Sequence, residues 1–293
     1  MTFRLRMAAQ KGETEAKRHG FDALPIDPFA IAASNDIEIV PKPSEVAGVS
    51  GAIIFVGESV TIIHATNIRS AGFQRFTVAH ELGHYFLDGH AEEIRASGGH
   101  HFSKAGFTQG DRSIEIEADH FASGVLMPKR LVREVLNDST VGLESILELA
   151  DRADCSATAS AIRAAECAEH PLCIVVSEGN AVCYSFMSEA FKALKPGGFL
   201  RKGALLPSGL TLRFNDDTER VEGGDQDCDQ TDMADWFGGR SSPLDEEVIG
   251  LGNYGRTLTV LSSDELVSQG DEDAEDEDEL LERSWEAKFA YGR

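Results

Sequence analysis

Apolar residues recur at helical spacing through the first twenty positions, which predicts a helix over 3–20 that ends at Gly20. Asp27-Pro28 reads as an N-cap followed by proline in the first turn, opening a short helix through Ala33. The period then changes. Residues 37–41, 51–56 and 59–65 are β-branched and apolar, and Gly57-Glu58 makes a hairpin of the last two. Helical spacing returns over 72–88 and again over 113–127, where Pro128 stops it. The glycine-, serine- and histidine-rich stretch 89–112 between them reads as a loop. Three short helices follow at 129–137, 142–153 and 156–168. Strand patterns then take over at 172–177, 180–185, 209–214 and 256–262, with an acidic loop at 216–232. The fold class is α+β, in four segments: 1–130, a helical element at 131–168, a second α/β domain at 169–263, and an acidic tail at 264–293 expected to be disordered.

Charge narrows the choice of partners. The 293 residues carry a net charge of −23, and eight acidic residues crowd 271–279. Phosphate backbones repel such a chain, so direct nucleic-acid binding is disfavoured. The one segment with a helix-turn-helix rhythm, 142–168, offers a single basic group on its second helix, Arg163. No run of about 18 apolar residues predicts a membrane span. The N-terminus lacks the apolar core of a secretory signal. The five cysteines form no C-x-x-C pair, which fits free thiols in a reducing cytoplasm.

Residues 78–86 read VAHELGHYF and contain H-E-x-x-H. On a helix, His80 and His84 lie one turn apart on the same face, so two imidazoles can converge on one cation. Glu81 is one step round, placed to take a proton from a water that the cation activates. A catalytic zinc site needs a third protein ligand and an open fourth position. The best candidate is Glu115, which opens EIEADHFASGVLMP at 115–128. Ile114, Ala118, Phe121, Ala122 and Val125 form the buried stripe of that helix, and Glu115 sits on its edge. Glu117 is about 200° away round the helix and is expected to face solvent or the opposite side. Asp119, one turn after Glu115, is placed to accept the free ring N–H of a liganding histidine. His90 has the spacing of H-E-x-x-H-x-x-G-x-x-H, but Leu87 stands where that motif needs glycine, so His90 is rejected as a ligand. His100 and His101 fall in the predicted loop and are poor ligand candidates. Tyr85, His90, His101 and His120 all remain open as oxyanion partners. Nothing in this donor set separates zinc from manganese.

Two further motifs carry no function. GLGNYG at 250–255 is followed by a strand pattern, whereas a dinucleotide loop must open a helix. DQDCDQ at 225–230 has Gln230 where a calcium loop requires glycine.

RFTVAHELGH at 75–84, followed by E-x-E-A-D-x-F-A-x-x-x-L-M-P at 115–128, resembles the ImmA/IrrE family of zinc metallopeptidases. The similarity takes in LPIDPFAIA at 24–32 and covers most of 20–165. It implies a gluzincin-like site with His80, His84 and Glu115 on zinc and Glu81 as general base. It further implies helix-turn-helix-like helices over 131–168, a C-terminal GAF-like sensor domain, and cleavage of a partner transcriptional repressor. The acidic loop 216–232 and tail 271–279 have no counterpart in that pattern. DNA-binding repressors are often basic, so the chain's acidity would draw such a substrate in, an attraction that raised salt would screen. The rival reading is a non-catalytic zinc-containing regulator that acts by partner or DNA binding.

Overall fold

The apolar runs between 37 and 64 form a sheet in the computed structural model, which describes residues 3–42, 49–66, 70–103 and 112–263. The chain divides into two units. Among the described residues, one holds the chain through Leu131 together with 150–156, and the other holds 132–149 and 157–263. The acidic tail lies outside the described residues.

The first unit begins with α1 (Phe3–Arg18) and α2 (Pro28–Ala33). Asp27 caps α2, its carboxylate accepting from the Phe29 amide at 2.9 Å. Strands β1 (Ile37–Pro41), β2 (Gly51–Val56) and β3 (Ser59–His64) follow, with β2 and β3 as the expected hairpin. Helix α3 (Ala71–Phe86) carries the H-E-x-x-H sequence. Its N-terminus is capped by the Ser70 hydroxyl, which accepts from the Phe73 amide. The segment 89–112 is not the featureless loop its composition suggests. It holds α4 (His90–Ala96) and an edge strand, β4 (His100–Ser103). Four residues with two histidines carry too little alternation to signal a strand. The backbone of β2 recruits them, pairing Ile53 with His101 and Gly51 with Ser103. The sheet order is β1-β3-β2-β4, with β1 parallel to β3 and the other pairs antiparallel.

Helix α5 (Arg112–Leu126) packs against both α1 and α3. Its predicted stripe, Ile114, Ala118, Phe121, Ala122 and Val125, is buried throughout. Glycine sets the two helix crossings. A Cβ on Gly124 would lie 2.1 Å from the Ala9 carbonyl oxygen, and one on Gly12 would lie 2.3 Å from that of Phe121. Only hydrogen fits at either place. Gly83, inside the motif, lets α3 approach α5 until its missing Cβ would be 3.0 Å from Ala118 Cα. That close approach brings the first turn of α5 beside the two histidines.

Helices α6 (Lys129–Asp138), α7 (Leu143–Ala153) and α8 (Ala157–Cys167) follow, and the division between units falls within α6 and α7. Arg163, the lone basic group of α8, is buried and pairs with Glu166 at 3.0 Å.

The second unit is built on β5 (Leu172–Glu178) and β6 (Ala181–Met187), helices α9 (Glu189–Ala193), α10 (Leu210–Asn215) and α11 (Thr218–Gly223), strand β7 (Gln226–Asp232), helix α12 (Met233–Phe237), and strands β8 (Pro243–Gly250) and β9 (Thr257–Ser262). The sheet is antiparallel throughout, in the order β6-β5-β9-β8-β7. Cys173, Val175 and Leu261 on one face meet Phe191, Met233, Trp236 and Phe237.

Two sequence expectations fail here. Residues 209–214 are helical, not a strand. Their alternation misleads, because Leu210 and Phe214 are an i, i+4 pair buried against Val221 and Val248. Buried Glu246 fixes the start of α10 by accepting from the Thr211 amide at 2.8 Å and its hydroxyl at 2.7 Å. The acidic stretch 216–232 is α11, capped by Asp217, followed by edge strand β7. As an edge strand, β7 buries little, so its polar composition looks like a loop. GLGNYG forms a 3-10 turn at Gly252–Tyr254 that leads into β9, as the strand pattern after it requires.

Candidate metal centre

The buried middle of α3 turns His80 and His84 toward the first turn of α5. His80 Nε2 and His84 Nε2 stand 3.2 Å apart. Glu115 completes the triangle, with Oε1 3.2 Å from His84 Nε2 and Oε2 3.5 Å from His80 Nε2. Four tetrahedral donors at zinc bond lengths of roughly 2.0–2.1 Å stand about 3.3 Å from one another. The spacing therefore suits a tetrahedral ion with one corner free. Among the described residues, this is the one cluster of three such side chains close enough to share a metal ion. Asp119 lies behind it, its Oδ1 2.8 Å from His80 Nδ1.

Burial and these contacts set the charges. Burial opposes charging His80, but hydrogen bonds to Asp119 and Glu115 outweigh it and hold its pKa well above the usual value. Burial lowers His84 to about 3, so this ring is neutral, as a ligand must be. Burial disfavours the Glu115 carboxylate too, yet hydrogen bonds from His101, His80 and His84 keep it ionised far below the normal range.

Residues 35–164 match the family model described as the IrrE N-terminal-like domain, Peptidase_M78. That segment is similar to the M78 domain of the ImmA/IrrE type. A solved structure described as a Mycobacterium tuberculosis transcriptional regulator has a similar fold, with a TM-score of 0.53 at 16% identity, over 90% of this chain and 77% of that one. At that identity the likeness speaks to fold alone. No curated protein matches. No helix among the described residues is long and apolar enough to cross a membrane.

Glu81, within the matched segment, is fully buried, and neither carboxylate oxygen has a hydrogen-bond partner. Desolvation raises its pKa to about 7, against the opposing pull of nearby His80. A buried carboxyl without partners is costly, and its place beside two ligand-type histidines gives that cost a function.

Three residues read differently in three dimensions. Of the two places expected for Glu117, solvent or the opposite side, it does not take solvent: it is buried and paired at 3.0 Å with Arg4 of α1, a helix whose packing on α5 helical phase alone cannot foresee. His90 lies outside the ligand triangle but is buried behind it, its Nδ1 3.2 Å from that of His84. His101 sits on β4 with Nε2 2.6 Å from Glu115 Oε1. It is thereby in hydrogen-bond contact with the triangle's carboxylate.

Sequence reasoning missed Gly51 altogether. A Cβ there would lie 2.5 Å from Thr77 Cγ2 and 2.6 Å from Glu81 Oε1. Its position in β2 opposite Ser103 has no sequence signal except a glycine opening a strand. Gly51→Ala is expected to displace the Glu81 carboxylate and lower cleavage by roughly 10–100-fold with bound zinc unchanged. Metal analysis beside a cleavage assay checks this, and wild-type turnover would remove Gly51 from the site.

Proposed function

We propose that this chain is a zinc-dependent endopeptidase that hydrolyses a peptide bond in a partner protein, a helix-turn-helix transcriptional repressor. The observation that carries the reading is the triangle of His80, His84 and Glu115 at tetrahedral spacing, with partnerless Glu81 beside it. His80, His84 and Glu115 are the ligands in a gluzincin-like arrangement, and Asp119 holds the His80 ring in the tautomer that presents Nε2. When bound, zinc supplies a Lewis acid that polarises the scissile carbonyl and acidifies the attacking water. Glu81 takes the proton of that water as its oxygen bonds to the carbonyl carbon. Glu81 then delivers the proton to the leaving amine nitrogen as the C–N bond breaks. His101, whose Nε2 is 2.6 Å from Glu115 Oε1, is the donor we assign to negative charge on the carbonyl oxygen.

The M78 match and the net charge of −23 support a protein substrate of basic character. Residues 131–168 are read as the helix-turn-helix-like element. The five-stranded antiparallel sheet over 169–263, with helices inserted between β6 and β9, supports a GAF-like regulatory domain. Manganese is the other ion this donor set accepts.

The test is metal dependence. Full-length protein is expected to bind one zinc and to cut a proteome-derived peptide library at defined bonds read by mass spectrometry. Chelation should abolish cutting, and added zinc should restore it. Stoichiometric zinc with an uncut library, on an active positive-control peptidase, would favour the non-catalytic regulator.

A further inference from the structure

His80 and His84 face the triangle with the same ring atom but are held from behind differently. His80 Nδ1 meets a carboxylate, Asp119, directly. His84 Nδ1 meets another imidazole. His90 Nδ1 is 3.2 Å away, His90 Nε2 is 3.4 Å from Glu117 Oε2, and Glu117 Oε1 is 3.0 Å from Arg4 Nη2. His84, His90 and Glu117 are all buried, whereas Arg4 is exposed. Gly89, at φ 87°, turns the chain after α3 so that the first residue of α4 points back at α3.

One set of proton positions satisfies the whole line. If His84 Nε2 offers its lone pair to a cation, its hydrogen is on Nδ1 and is donated to His90 Nδ1. The hydrogen of His90 is then on Nε2 and is donated to Glu117. The Arg4 guanidinium balances the Glu117 charge. We propose that His90 and Glu117, anchored by Arg4, are positioning residues that fix the tautomer and ring angle of His84 for metal binding. The proposal rests on His84 being a ligand.

Charge explains why an imidazole sits here in place of a second direct carboxylate. Glu115 and Asp119 already match a divalent ion. A third carboxylate against His84 would leave the buried site negative, whereas neutral His90 holds the ring and passes the charge outward to an ion pair with Arg4. Arg4 belongs to α1, which precedes the matched segment 35–164. Zinc affinity is therefore tied to the docking of the N-terminal helix, outside the recognised domain.

The test uses full-length protein loaded with zinc. Nitrogen-resolved NMR of the imidazoles is expected to place hydrogen on Nδ1 of His84 and on Nε2 of His90. Competition against a chromophoric chelator should show His90→Phe weakening zinc by roughly 10–100-fold. His90→Gln, whose amide can both accept and donate, should recover most of that loss, and Arg4→Ala and Glu117→Gln should weaken zinc in the same direction. A purely structural role for His90 gives no advantage to Gln over Phe. If His90→Phe does not fold, the wild-type NMR and the exposed Arg4→Ala variant still decide. Hydrogen on Nδ1 of His90, or wild-type zinc affinity in His90→Phe or Arg4→Ala, overturns the relay alone. A wild type that takes up no stoichiometric zinc overturns the metal reading on which it rests.

Discussion

Glu81→Gln is expected to leave zinc bound at wild-type stoichiometry and to lower cleavage by roughly 10²–10⁴-fold, the contribution of a positioned general base. Gln keeps the size of the side chain, so the tight contact with Gly51 is preserved and the three ligands are untouched. What is lost is an oxygen that can take and return a proton. The metal-free protein should show a second effect with the opposite sign. Burial raises the Glu81 pKa from 4.5 to about 7, so folding favours its protonated form. The stability this lends is complete below pH 4.5 and is lost as pH rises through 7. Gln has no such loss. Between pH 4.5 and 8 the stability difference should therefore move toward the variant by about 3 kcal/mol, read from denaturant midpoints of the two metal-free proteins. A variant that still cuts at the wild-type rate would remove Glu81 from the mechanism. A flat stability difference would mean that the carboxyl gains its missing partner in solution.

How much of this site was legible in the sequence follows from the range of each signal. His80, Glu81 and His84 span just over one helical turn, and their juxtaposition follows from 3.6 residues per turn alone. Glu115 and Asp119 needed one further inference, that two amphipathic helices with small residues on their apolar faces pack together. Gly83 against Ala118 is where that happens. Contacts made from three or more elements were not legible. Helical phase sets Glu117 toward solvent or the opposite side and cannot choose between them, because α5 is covered on one side by α3 and on another by α1. The sequence offers His90 as a ligand or an oxyanion partner, and spacing says nothing about a residue that supports a ligand from behind. His101 reads as a poor ligand candidate because β4 exists only through the backbone of β2. The same limit misread the second unit, where β7 is a strand by virtue of pairing with β8 and α10 is a helix by virtue of burying Leu210 and Phe214. Local pattern finds elements that bury a face of their own. It misses those whose conformation is imposed by a neighbour.

Glu115→Ala should abolish stoichiometric zinc binding, a fall of several orders of magnitude in affinity, because it removes one of three protein donors and the only negative one. The loss exceeds that of a single neutral ligand. Without Glu115 the triangle contains two imidazoles, one of them held charged in the metal-free protein. Asp119 is committed to the far side of His80 and cannot turn inward without releasing that ring. Glu115→Asp separates charge from reach. It keeps the carboxylate but shortens it by one methylene, so it should bind zinc more weakly than wild type and far better than Ala. Titration against a chelator of known affinity measures all three proteins on one scale. Stoichiometric zinc in Glu115→Ala would move the third ligand elsewhere, and His101 is then the residue within reach, since its Nε2 already occupies the same corner of the cluster. A Glu115→Ala, His101→Ala double variant that finally loses the metal would make that assignment. The Glu115 change alone, if it empties the site, closes the triangle on the two helices whose approach Gly83 permits.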